Sequence, residues 1–152
     1  MPKAISDQDL MVLSSARNGL TFLTPNDWAL VSDRAVTAHF NKGDHLVHKG
    51  KPSGGIYLIA KGQARIRLAA WASLPPIGPG EICGEMSFLE ESPASADVVA
   101  LENVDAYHLS VKTLQDLFEL FPHLASRFYR SVATNLSRRM RSLVGQASPA
   151  SG

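Results

Sequence analysis

At 152 residues the chain has the size of one domain, long enough to bury roughly two thirds of its unfolded surface in a single core. Hydrophobic residues make up 45%, charged residues 19%, and the net charge is +1. That balance excludes intrinsic disorder and recruitment to nucleic acid or membrane by overall charge, so partners must be argued from local patches. No apolar run approaches the roughly 20 residues that span a bilayer, and the opening MPKAISDQDLMVLSSARNG carries acids where a secretory leader has an unbroken apolar stretch. The cytoplasm is the expected compartment, without membrane contact. The single cysteine, Cys83, fits a reducing compartment and in its apolar context reads as a buried, inert thiol.

Leu10 to Leu13 predict a short helix, with frayed residues before it and an apolar lead-in at Leu20 to Leu23. TPNDWALVSDRAV follows, with Thr24 or Asn26 as cap, Pro25 in the first turn and Trp28, Leu30, Val31 and Val36 at helical spacing. After Val36 the period drops to two, and short β-rich runs alternate with glycine turns. The clearest unit is GIYLIA, then Lys61 and Gly62, then QARIRL, which reads as a tight hairpin whose second strand alternates Ala64, Ile66 and Leu68 with Gln63, Arg65 and Arg67. Further strands are expected at 44–48, 80–83, 95–101 and 104–109. So many short strands predict a small antiparallel sandwich or barrel. From Ser110 the pattern turns helical again, and Pro122 divides it into helices at about 111–120 and 122–144. GQASPASG closes the chain as a flexible tail.

Three blocks in order, KGDHLVHKGKPSGGIYLIAKGQARI, GPGEICGEMSFLEESPASADVVA and LFELFPHLASRFYRSVATNLSRRM, resemble the cyclic-nucleotide-binding domain of the catabolite-activator (Crp/Fnr-like) family, also found in regulated kinases and channels. The resemblance implies an α+β fold, an antiparallel β-roll or jelly-roll sandwich flanked by N-terminal helices and two C-terminal helices. It divides the chain into a helical lead-in at 1–19, the domain at 20–145 and the tail at 146–152.

In that family the second block is a phosphate-binding cassette. A Gly-Glu pair opens a short helix whose amides face the cyclic phosphate, while the glutamate accepts from the ribose hydroxyl. Here the pair is Gly84 and Glu85, followed by Met86. The family then has an arginine that neutralises the phosphate, a small hydroxyl residue and an alanine. This chain has Ala94, Ser95 and Ala96, so the arginine is replaced. The lost charge-assisted bond alone should weaken phosphate binding by about 10 to 100-fold. No Lys or Arg lies between Arg67 and Lys112, whereas Glu81, Glu85, Glu90, Glu91, Asp97, Glu102 and Asp105 do. Unless Arg65, Arg67 or an arginine of the last helix reaches the pocket, its field opposes an anion.

The resemblance therefore implies ligand contacts from Gly84, Glu85, Met86, Ser95 and Ala96, with Thr134, Asn135 and Arg138 as lid or base contacts from the last helix. Each has a plainer alternative: Glu85 as a first-turn helix charge, Ser95 and Ala96 as small residues packed beside a strand. Cyclic AMP or cyclic GMP is the implied ligand, weakened by Ala94. His39, His45 and His48 do not read as a metal site, because the odd offset of His45 and His48 puts them on opposite sides of a strand. No nucleophile elbow is present, and no enzymatic activity is expected. Arg127, Arg130, Arg138, Arg139 and Arg141 read as a solvated helix face, and direct DNA binding is not expected. The stripe of Phe128, Val132, Leu136 and Met140 is expected to bury one side on the sandwich and to offer another side to a homodimer partner or another protein. Two readings remain open: a regulatory ligand-sensing module that signals by moving its last helix, and a degenerate domain that binds no cyclic nucleotide and serves dimerisation or docking.

Overall fold

The computed structural model describes residues 4–69 and 72–147. Its first helix, α1 (Asp7–Ser15), starts at Ser6, whose hydroxyl accepts from the Asp9 amide. Ile5, Leu13 and Leu20 around it are fully buried against the sandwich, so the predicted lead-in is part of the core. The second helix, α2 (Pro25–Ser32), carries a complete capping box: the Asp27 amide donates to the Thr24 hydroxyl at 3.2 Å, and the Thr24 amide to the Asp27 carboxylate at 3.0 Å. Asp27 also takes a two-point ion pair from Arg127, at 2.6 and 2.9 Å. The helix ends earlier than the apolar spacing suggested, and Val36 opens a strand.

Among the described residues eight strands follow: β1 (Val36–Phe40), β2 (His45–Val47), β3 (Gly55–Lys61), β4 (Ala64–Ala69), β5 (Ala72–Ser73), β6 (Ile82–Cys83), then, after the short helix α3 (Glu85–Glu90), β7 (Asp97–Ala100) and β8 (Val104–Ser110). They form two antiparallel four-stranded sheets, ordered β1-β8-β3-β6 and β2-β7-β4-β5. The expected hairpin of GIYLIA and QARIRL is corrected here. β3 pairs with β8 and β4 with β7, so the chain turns a corner at Lys61 to Gln63 and passes from one sheet to the other. β7 and β8 do the same across 101–103. The two corners touch: Gly62 has φ +88°, and a Cβ there would lie 2.2 Å from the Asn103 carbonyl oxygen. The alternation read in β4 is present, with Ala64 and Ile66 buried and Arg65 and Arg67 turned outward.

The chain finishes with α4 (Val111–Leu120), capped by Ser110, and α5 (Pro122–Ala147), with Pro122 at the first position of α5. The predicted tail falls on the end of α5 and on residues outside those described. Leu114, Leu117, Leu124, Phe128 and Val132 join the helices to one side of the sandwich, and a second cluster, including Ile59, Ile66, Val98 and Val104, fills its interior. Among the described residues no helix is long and apolar enough to cross a membrane.

Candidate functional site

The segment between β6 and β7 is held in place by its own polar atoms. Gly84 precedes α3 with φ +87°, where a Cβ would sit 2.8 Å from the Gly55 carbonyl oxygen, so a glycine is required. Ser53 braces this turn: its hydroxyl donates to the Gly84 carbonyl at 2.9 Å, and its amide donates to the Ser87 hydroxyl at 3.1 Å. The Ser87 hydroxyl in turn donates to the Ser92 carbonyl. Beyond α3, the Ala94 amide donates to the Lys51 carbonyl at 2.9 Å, and the Ala94 carbonyl accepts from the Gly50 amide at 2.8 Å. That amide is thus committed within the fold.

These turns wall a cavity of about 310 Å³. Its floor is Val47, Ile66, Leu68 and Val98 of the β2-β7-β4-β5 sheet, with Leu74 and Cys83 beside them. One wall is Gly84, Glu85, Met86 and Ser87, and another is Ala94, Ser95 and Ala96. α5 covers it with Leu136, Arg139, Met140 and Leu143. The five residues read from the cassette, Gly84, Glu85, Met86, Ser95 and Ala96, therefore meet around one space.

The three residues taken from the last helix do not. Thr134 donates to the Arg130 carbonyl on its own helix. Asn135 is buried and donates from Nδ2 to the Gly19 carbonyl at 3.0 Å, and Arg138 reaches the Arg17 carbonyl and the Asn18 side chain at 2.8 and 3.0 Å. That face of α5 fastens the helix to the segment after α1. The face over the cavity lies one residue further round, at 136, 139, 140 and 143.

Arg139, read from the sequence as part of a solvated helix face, instead turns into the cavity. Its guanidinium donates from one nitrogen to the Glu85 carboxylate and from the other to the Ile82 carbonyl at 2.8 Å. The Glu85 side chain is 3% exposed and that of Arg139 18%, so the pair is largely shielded from water. An arginine of the last helix does reach the pocket, the condition left open by the sequence for a cation there. This cation, however, is spent on the carboxylate beside it. The signal in the sequence was an arginine at position i+3 from Leu136 and beside Met140, inside an apolar stripe rather than on the polar face.

Burial and the neighbouring Glu85 carboxylate push the Cys83 thiol far up, leaving it protonated and inert. His45 and His48 are not on opposite sides: their rings stack in parallel at 4.6 Å. A register shift between His45 and Val47 breaks the two-residue alternation on which that expectation rested. His39 bonds to Asp105 at 2.8 Å and to Asn41 at 3.2 Å.

Comparison with known proteins agrees with this geometry. Residues 37–120, more than half of the chain, match the model of the cyclic nucleotide-binding domain. The chain is 29% identical over 121 residues to glutaminase 2 of Bradyrhizobium diazoefficiens, covering 80% of this chain and 19% of that protein. It is 30% identical over 106 residues to the cyclic AMP receptor protein of Thermus thermophilus, covering 67% of this chain and 47% of that one. Among solved structures, a cyclic nucleotide-binding domain from Methylobacillus flagellatus superimposes with a TM-score of 0.79 at 21% identity, over 96% of this chain and 84% of that one. The N-terminal domain of a transcriptional regulator from Streptomyces coelicolor gives a TM-score of 0.68 at 26% identity, over 84% and 93%. The chain thus spans less than half the length of these two curated relatives. With residues 37–120, from β1 through the cassette to the end of α4, matched by the family model, the chain belongs to the cyclic nucleotide-binding domain family.

Proposed function

We propose that this chain is a regulatory sensing module in which the occupancy of the cavity sets the position of α5. The observation that carries this reading is the Glu85–Arg139 pair, which ties the covering helix directly to the first residue of α3. A molecule that enters between them competes with the bond that holds α5 down, and so biases the position of that helix. Packing offers a second connection. Phe88 of α3 stands edge-on to Phe128 of α5, with ring centroids 6.1 Å apart and planes at 84°. The middle of α5 is anchored through Asn135 and Arg138, and the stretch from Arg139 onward, tied to Glu85 and Ile82, is the part that responds to the cavity.

Cyclic AMP and cyclic GMP fit this site poorly as it stands. Ala94 occupies the position of the family arginine, and recruiting Arg139 to a phosphate would strip Glu85 of its partner, which costs about 3 to 5 kcal/mol for a buried pair. The same observation favours the second reading, in which the pair stays permanently closed and the domain works by docking or dimerisation. Calorimetric titration of cyclic AMP and cyclic GMP into the native chain and into Ala94→Arg separates the two. The sensing reading expects millimolar binding to the native chain and an affinity about 10 to 100-fold higher in the variant. No gain in the variant would mean that the cassette no longer has the shape of a ligand site, and the docking reading would replace it.

A further inference from the structure

The lining of the cavity points to a ligand class other than the family's usual one. Among the described residues that line it, the only charged side chains are Glu85 and Arg139, and they neutralise each other. The second Arg139 nitrogen is held by the Ile82 carbonyl, and the Ala94 amide by Lys51. An anion entering here meets no uncommitted cation, and its hydration would be replaced by the side chains of Val47, Ile66, Leu74, Val98, Leu136 and Leu143. The same surface suits an apolar body. A 150 Å³ apolar cavity takes a benzene ring, and this space, about 310 Å³, is twice that size. At the polar end of the cavity the Ser87 hydroxyl is used by Ser53 and Ser92, whereas Ser95 stands exposed at the rim.

We infer that the cavity takes a small neutral molecule with an apolar body of about ten carbons or two fused rings and one hydrogen-bonding end, held against Glu85, Arg139 and Ser95. The inference rests on the reading of this cavity as a ligand site. It names the occupant by chemistry alone: a medium-chain alcohol or a bicyclic aromatic, not a cyclic phosphate.

The test is methyl NMR of the full chain, labelled at Ile, Leu, Val and Met, titrated separately with decan-1-ol, indole and cyclic AMP. Saturable shifts at Ile66, Val98, Leu136 and Leu143 are expected with decanol or indole, and cyclic AMP should need a concentration more than about tenfold higher. Ala94→Phe, which fills the cavity, should weaken the apolar probes by at least about tenfold. Should that variant fail to fold, Leu143→Lys, at a partly exposed helix position, places a charge over the same space and should do likewise. Cyclic AMP shifting these methyls at lower concentration than either apolar probe would overturn the inference. So would shifts confined to other methyls, or affinities that neither variant changes. Amide exchange of α5 in the same samples separates this inference from the sensing reading: apolar probes that bind at the lining methyls and leave α5 unaltered support the ligand class and count against the sensing role alone.

Discussion

Removing the Arg139 side chain should cost the fold far more than neutralising Glu85, although both changes break the same bond. In Arg139→Ala the Glu85 carboxylate, 3% exposed, loses its counter-charge with no water to replace it, a situation that costs about 3 to 5 kcal/mol. For a domain of this length that is a fall in melting temperature of about 6 to 20 °C. Glu85→Gln keeps the shape and an acceptor for Arg139, whose guanidinium also retains the Ile82 carbonyl, so the loss is about 1 to 2 kcal/mol. Replacing both by methionine removes the two desolvated charges together and should return the stability to within about 1 kcal/mol of the native chain. Urea unfolding with linear extrapolation measures all three variants. If Arg139→Ala lies within about 1 kcal/mol of the native protein, the pair behaves like an exposed surface bridge, and the argument that it shields a buried carboxylate fails.

Two histidines should titrate in opposite directions from the ordinary value of 6.5. The bond from Asp105, helped by Asn41, raises His39, so its contribution is complete below 6.5 and is lost as pH rises through the higher folded value; burial lowers His108, which therefore destabilises the fold as pH falls below 6.5. Ring-proton NMR should place His39 above 6.5 and His108 below it, with Asp105→Asn bringing His39 back, and the reverse order would refute both assignments. Gly62→Ala forces a positive φ at a cost of about 1 to 3 kcal/mol, to which the contact with the Asn103 carbonyl adds, and a melting temperature unchanged from native would show that the two sheet-crossing corners do not touch.

Local signals in this chain were read correctly where one residue type decides the outcome. Of the two caps offered for α2, Thr24 is the one used, and Pro122 parts α4 from α5, because caps and missing amides act within a few residues. The corner at Gly62 looked like a hairpin turn because both features use the same glycine. Whether the next strand pairs back or crosses to the other sheet depends on β7 and β8, dozens of residues away. The cassette residues Gly84, Glu85, Ser95 and Ala96, which line one cavity, were named together through the resemblance. Their partner on α5 was not, because one residue on a helix is 100° of rotation: Arg138 faces Arg17 and Asn18, and Arg139 faces Glu85. The stacking of His45 and His48 was hidden in the same way by a bulge that no residue type announces.

Hydrogen exchange along α5 tests the central claim, that the helix end over the cavity is coupled to the cassette through Glu85 and Arg139. Amides from Leu136 to Gly145 should exchange faster in Arg139→Gln than in the native chain, and should change again when Ala94→Arg is saturated with cyclic AMP, while those from Leu124 to Val132 stay slow. Identical exchange across 136–145 in all three samples would contradict the account.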